Sequence, residues 1–327
     1  MKTQYYIGWW NVENLFDVFD SPSRPEWLQR ALNSELKGWT QTVLQRKIFN
    51  LVKIISQMNN GKGPDILGVC EVENLSVLQQ LVEALHTIGR DYAIAHHDSS
   101  DQRGIDVAFI YDKTIFEEKE QFSYTVLKRS ATRDLFQVNF VTPKQNELIL
   151  IGNHWPARSA GVYESEPYRI IAAETLSYWM QRITEIKGKD IAVVCVGDFN
   201  DEPLSRSVTD YALATNSIAK VKYAITPRLF NLMWPCHGDG TGTFYYNNFP
   251  YVLDQFMVSK ELVQTSGKPR IAKDMSGKFM AGIGHFPEMI TGGRYPTPKR
   301  FGRPSEKSSY DPSGFSDHFP VWMMVEE

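Results

Sequence analysis

A chain of 327 residues, 42% hydrophobic and 22% charged, has the make-up of a globular protein able to bury a sizeable core. Its formal net charge of −3 excludes a global electrostatic pull toward nucleic acid, so any recognition of phosphate has to be local. Three cysteines (Cys70, Cys195 and Cys236) without CxxC spacing exclude a disulfide framework and a closed zinc site.

The first residues lack the apolar stretch of a secretory signal, and no later segment approaches a membrane span. A soluble, cytoplasmic monomer is expected, with secretion open if a leader was removed. Strands are predicted at Tyr5–Trp10 and Asp65–Cys70, separated by a helix that aligns Leu44, Ile48, Leu51, Ile55 and Met58 on one face. A second stripe, Leu78, Leu81, Val82, Leu85 and Ile88, predicts another helix. Strands follow at Tyr92–His97, Ile105–Tyr111, Leu135–Val141 and Leu148–Asn153. A helix is expected over about 166–186, with Pro167 in its first turn. Further strands are predicted at Ile191–Val196, Val252–Val258 and Val321–Val325, several apolar throughout as in a sheet covered on both faces. The stretches 17–38 and 282–314 read as surface excursions. With no linker dividing the chain, one domain over 1–327 is expected, α/β (α+β) in class, with two sheets packed face to face and helices outside.

Polar residues gather where these strands end. In Val196-Gly197-Asp198-Phe199-Asn200-Asp201, a carboxylate and an amide two residues apart on extended backbone face the same way and can address one ligand. Oxygen ligands of this kind suit a hard cation such as Mg²⁺. A turn after a strand often contains Asp and Asn without any function, but the arrangement recurs. Glu71 follows one apolar run, Asn11 and Glu13 another, Asn153 and His154 a third, and Asp317 and His318 precede the last strand. Asp254 lies inside a strand, where an aspartate needs a partner; His318 is the natural one, since an acceptor on one ring nitrogen fixes the tautomer.

These stretches resemble the endonuclease/exonuclease/phosphatase superfamily, the DNase I-like proteins. The matching motifs are Trp10-Asn11-Val12-Glu13-Asn14-Leu15-Phe16, Gly68-Val69-Cys70-Glu71-Val72-Glu73, Arg103-Gly104-Ile105-Asp106-Val107-Ala108, Gly152-Asn153-His154-Trp155-Pro156-Ala157-Arg158, Gly197-Asp198-Phe199-Asn200-Asp201, Leu253-Asp254 and Ser316-Asp317-His318-Phe319-Pro320-Val321. They run in the family's order across nearly the whole chain. The resemblance implies a four-layer α/β/β/α sandwich of two mostly antiparallel sheets. It implies Glu71 as the principal ligand of Mg²⁺ or Mn²⁺, with Asn11 nearby and Asp317 supporting that metal or a second one. Asp198 and Asn200 would orient nucleophile and phosphate, Asp254 would pair with His318, and His154 would hold the scissile phosphate or protonate the leaving oxygen.

Arg103, Arg158 and Arg169 are candidate phosphate contacts, because guanidinium matches phosphate bidentately. The basic loop carrying Arg294, Lys299, Arg300, Arg303 and Lys307 reads first as a solvated loop and secondly as a track for a nucleic-acid backbone. The expected activity is hydrolysis of P–O bonds in DNA or RNA. The alternative is a phosphatase or phosphodiesterase for a small or lipid substrate, such as an inositol phosphate or sphingomyelin. A catalytically inactive binding protein ranks last, since all the matched positions carry competent side chains.

Overall fold

A computed structural model describes residues 3–159, 161–292, 297–304 and 309–327. In chain order the strands are β1 (Gln4–Leu15), β2 (Ile66–Val72), β3 (Tyr92–His96), β4 (Asp106–Asp112), β5 (Glu117–Tyr124), β6 (Leu135–Val141), β7 (Glu147–His154) and β8 (Ala192–Asp198). The short pieces β9 (Ala214–Thr215), β10 (Leu229–Asn231), β11 (Phe244–Tyr246) and β12 (Phe249–Tyr251) follow, then β13 (Asp254–Val258), β14 (Arg270–Ile271), β15 (Ala281–Ile283) and β16 (Val321–Glu326). One seven-stranded sheet runs β14-β16-β1-β2-β4-β3, with β15 also on β16; the other runs β5-β6-β7-β8-β13-β10-β9. Neighbours are antiparallel except β1 with β2, β7 with β8, and β9 with β10.

Strand β1 shows why the layers form. Its alternate residues Tyr5, Ile7 and Trp9 enter the core between the sheets, beside Phe136, Val194 and Phe256 of the second sheet. Tyr6, Trp10 and Val12 point the other way and pack under Leu44, Ile48, Leu51 and Leu78 of two helices. Those helices span Gln41–Ile55 and Leu75–Leu85, and Asn74 caps the second by accepting from the Val77 N–H at 3.0 Å. The helix Val162–Lys187 lays Ala172, Leu176, Met180 and Ile183 on the outer face of the second sheet. This is the four-layer α/β/β/α sandwich expected from the sequence. Among the described residues no helix is long and apolar enough to cross a membrane.

Two local expectations are corrected. The long helix starts at Val162, so Pro167 lies inside it and not in its first turn; Gly161, at φ 104°, makes the break that the proline was expected to mark. The stretch 17–38 is no loose excursion. It contains a helix, Glu26–Leu32, and its Leu28, Leu32 and Leu36 are buried with Trp39, Ile105 and Phe301. A buried fork from Arg24 to Glu73, at 2.5 and 2.7 Å, ties this segment to the end of β2.

Topology sets the position of the polar residues. The parallel pairs β1–β2 and β7–β8 finish at the same edge of the sandwich, delivering Asn11, Glu71, His154 and Asp198. Strands β13 and β16 run oppositely, so their beginnings lie at that edge, bringing Asp254 and the Asp317-His318 pair.

Candidate active site

Across the second sheet, His154 is in register with Asp198, and Asp198 with Asp254. Gly197 permits this close pairing, since a Cβ there would lie 2.2 Å from the Asn153 carbonyl oxygen. Asp198 is buried; its Oδ1 accepts from the Asn200 N–H at 2.9 Å and its Oδ2 from Asn11 Nδ2 at 3.1 Å. Burial pushes its carboxyl pKa up to about 6, against the opposing pull of His318. Both His154 Nε2 and His318 Nε2 stand 3.9 Å from Asp198 Oδ2, leaving three polar groups around one gap.

Asp254 has no exposed surface, and its needs are met within the protein. Oδ1 accepts from Trp9 Nε1 across the two sheets at 3.2 Å, and Oδ2 meets His318 Nδ1 at 2.6 Å. Burial disfavours a charged ring at His318, but the carboxylates of Asp254 and Asp198 outweigh it and hold the pKa well above the usual histidine value. The His318 backbone is fixed as well, its N–H donating to Ser316 Oγ and its carbonyl accepting from Trp10 Nε1. The Thr243 hydroxyl accepts the N–H groups of Leu253 and Asp254, pinning the entry to β13.

The opposite side is acidic and irregular. Both β1 and β2 bulge here, with Glu13 (φ 52°), Asn14 (φ 58°) and Glu71 (φ 64°) left-handed, a costly conformation for residues other than glycine. Glu71 accepts from the Asn14 N–H at 3.0 Å and lies 3.4 Å from Asn11 Nδ2, and its side chain keeps some exposure. Glu13 is fully buried and bonded to Arg300 Nε and the N–H groups of Phe301 and Gly302. Arg300 also approaches Asp317 at 3.7 Å. Burial and then the charge of Glu13 push the Asp317 carboxyl up to about 7. Beneath them Lys47 is wholly buried, donates to the Phe315 carbonyl at 2.5 Å, and is drawn down to about 8 by burial.

These oxygens are the donor set of a hard divalent cation, and the acids here carry more negative charge than their cationic neighbours relieve. Glu71 and Asp317 turn carboxylates to the cleft that could serve such an ion, while Asn11 presents Nδ2 to Glu71 and Asp198 and its Oδ1 accepts from the Glu13 N–H. Asp198, Asp254 and His318 also place ligand-type atoms within 4.8 Å of one another, but two of the three are spent on each other in the 2.6 Å bond. A separate group, His96, Asp98 and Asp106, lies at the β3–β4 edge, where Asp106 already bonds His96 and the Ser99 N–H.

A cleft of about 660 Å³ opens over this edge, lined by Glu71, His154, Asp198, Asn200, Asp317 and His318, by Arg103 and Arg158, and by Phe244, Tyr246 and Tyr251. The sequence-predicted residues therefore converge, with one exception. Arg169 is corrected: it is fully buried below the cleft, its guanidinium held by Asp201 at 2.7 Å, Ser165 and the Val162 carbonyl. Arg158 lines the cleft while also bonding the Asn200 carbonyl and Asp201. Asn200 donates Nδ2 to the Trp155 carbonyl, which occupies one of its two amide hydrogens. In the basic loop, Lys299 donates to Ser313, Arg300 joins the acids and Arg303 pairs with Glu35 at 2.7 Å. Arg294 and Lys307 lie outside the described residues.

Sequence reasoning did not single out Arg133, which is buried and bonds the carbonyls of His154 and Trp155 and the carboxylate of Asp101. Burial, then Arg133 and Arg103, lower the His154 pKa well below its usual value, and its Nδ1 has no partner among the described residues. Lys47, inside a helix stripe, was equally silent.

The model of the endonuclease/exonuclease/phosphatase family matches residues 6–327. No curated protein gives a significant sequence match. Among solved structures, a member of that family from Bacteroides thetaiotaomicron is similar with a TM-score of 0.58 at 16% identity, covering 100% of this chain and 98% of the other. A mannosyl-6-phosphatase from the same species gives 0.55 at 16% identity, over 98% and 99%. The truncated TDP2 of Caenorhabditis elegans gives 0.57 at 14% identity, over 99% and 98%.

Proposed function

Because this chain belongs to the endonuclease/exonuclease/phosphatase family, a family of phosphoesterases, we propose that it is a divalent-metal-dependent phosphodiesterase that cleaves P–O bonds of DNA or RNA with water. The observation carrying this reading is the meeting of Glu71, His154, Asp198 and His318, drawn from both sheets, around one cleft, with Asp254 buried against His318.

Glu71, Asn11 and Asp317 would hold Mg²⁺ or Mn²⁺. Such an ion supplies Lewis-acid stabilisation of charge growing on the phosphoryl oxygens. Asp198 is the base: held at both oxygens by Asn200 and Asn11, with a pKa of about 6, it is ionised at neutral pH yet basic enough to take a proton from water. His318, kept protonated by Asp254, offers its Nε2 hydrogen to a phosphoryl oxygen. Neutral His154 donates from Nε2 to the scissile phosphate. Arg103, half exposed at the rim, and Arg158 steer the anion.

A second reading, a phosphatase or phosphodiesterase for a small phosphoester, has its own support. The net charge is −3, and the described cations of the 297–304 segment are engaged within the protein, so those described residues do not form a free basic track for a polymer.

The test is turnover of bis-p-nitrophenyl phosphate, short oligonucleotides and inositol phosphates with Mg²⁺ or Mn²⁺ supplied. Cleavage of diesters, abolished by EDTA, is expected. Turnover of the inositol phosphates or bis-p-nitrophenyl phosphate without the oligonucleotides would select the second reading, and no turnover of any would refute both.

A further inference from the structure

The hairpin β11–β12 turns through Asn247 and Asn248, both left-handed at φ 50° and 67° as a tight two-residue hairpin requires. Its register pairs Phe244 with Tyr251 and Tyr246 with Phe249. Side chains alternate along a strand, so these four rings share one face, while Tyr245 and Pro250 share the other. Tyr245 packs edge-on against Phe319, which fixes the hairpin to the protein on that side. The four-ring face is the one turned to the cleft, because Phe244, Tyr246 and Tyr251 all line it.

The inner pair is occupied. Phe244 lies 4.9 Å from the His318 ring and bridges to His318 through the backbone, and the Arg158 guanidinium sits 5.5 Å over Tyr251. The outer pair is not. Tyr246 is 63% and Phe249 68% exposed, and no ring or cation of the described residues stacks on either. Two large rings kept in water beside a catalytic cleft and continuous with its wall form a stacking platform.

We propose that Tyr246 and Phe249 stack on an unpaired nucleobase of the substrate, next to the phosphate held at His318; this rests on the phosphodiesterase reading and narrows it to base-bearing substrates with a single-stranded or unpaired nucleotide at the cleft. Planar rings match a base by area and are indifferent to its identity, so the platform confers preference for a base without a preference among bases. The two amides at the hairpin tip argue against insertion into a lipid surface, since the outermost residues, Asn247 and Asn248, are polar and exposed.

The experiment compares a short single-stranded oligonucleotide with the same strand carrying one abasic nucleotide beside the cleaved bond. The ratio of their kcat/KM values is measured for the wild type, Tyr246→Ala, Phe249→Ala and the double variant, with Tyr246→Phe as the conservative rescue. Loss of a base stack costs roughly 5- to 100-fold, so the ratio is expected to fall by that factor in the alanine variants and to recover in Tyr246→Phe. A ratio within twofold of wild type overturns the proposal. Binding of a fluorescent single-stranded oligonucleotide, read by anisotropy in EDTA, separates this from the reading beneath it: weaker binding by the double variant supports the platform even in a protein that turns over nothing. Wild-type sedimentation with phosphatidylcholine vesicles that the double variant loses would overturn it in favour of a membrane contact.

Discussion

On the second-sheet side of the cleft, Asp254 sits on a regular strand with both oxygens bonded, one to Trp9 and one to His318. On the first-sheet side, Glu13 and Glu71 sit on bulged, left-handed backbone, and Asp317 is pressed upward in pKa by burial and by its acidic neighbours. A buried carboxylate is tolerated when its hydrogen bonds are complete, and the first pair needs nothing more from outside. The second group is short of positive charge even with Arg300 and Lys47 beside it. Its left-handed backbone at Glu13, Asn14 and Glu71 is costly for residues other than glycine. On the proposed reading, one half is a completed dyad and the other a receptacle for the cation.

That contrast can be broken in order of effect. His318→Ala should lower kcat by roughly 10²–10⁴-fold, the scale of lost acid–base help, and should also lower the melting temperature, because buried Asp254 loses the partner of its Oδ2; a folded variant with near-wild-type kcat would remove His318 from the chemistry. Glu71→Gln should leave saturating-metal activity partly intact but raise the Mg²⁺ or Mn²⁺ concentration for half activity by at least about tenfold; an unchanged metal dependence would place the ion elsewhere.

Acidity probes the same asymmetry. Asp317 and Asp198 have folded pKa values raised to about 7 and about 6. Between the unfolded carboxyl value of roughly 4 and these values, the folded state holds protons that the unfolded chain has released. By linkage, that contribution to stability grows as pH falls from 7 to 5. His318, also raised, acts with the same sign above about 6.5, its unfolded value. In EDTA, the melting-temperature gap between wild type and Asp317→Asn should therefore narrow on acidification, and should narrow at pH 7 when Mg²⁺ is added. A gap independent of pH and metal would mean that the acidic half is already balanced. The smallest effect is expected at Lys47→Met, which strips the Phe315 carbonyl of its partner and should cost about 1–3 kcal/mol in denaturant unfolding.

Much of this was visible in the residues alone. Asp254 inside an apolar strand demanded a partner, and the chain supplies two. The strands of the centre read clearly because both their faces are covered, as in β1 and β8. Strand β5, Glu-Glu-Lys-Glu-Gln-Phe-Ser-Tyr, was missed because an exposed edge strand needs no apolar face to pair with β6. Arg169 was misplaced because its burial depends on Asp201, a partner 32 positions away that no local pattern indicates. The division of the aromatic hairpin into a face anchored on Phe319 and a face turned to the cleft follows only from the register.

Strand β1 lies between β2 and β16, so an early segment of the chain is a direct neighbour of a late one. The gap between Asp198 and His318 is thus bounded by groups separated by more than a hundred positions, with Asn11 far earlier still. Synthesis must pass position 318 before Asp254 and His318 can meet, and a nascent form shorter than that lacks Asp317 as well, so the buried pair and the acidic group are completed together. This edge of the sandwich is therefore completed late, when the segment leading into the last strand docks beside β1.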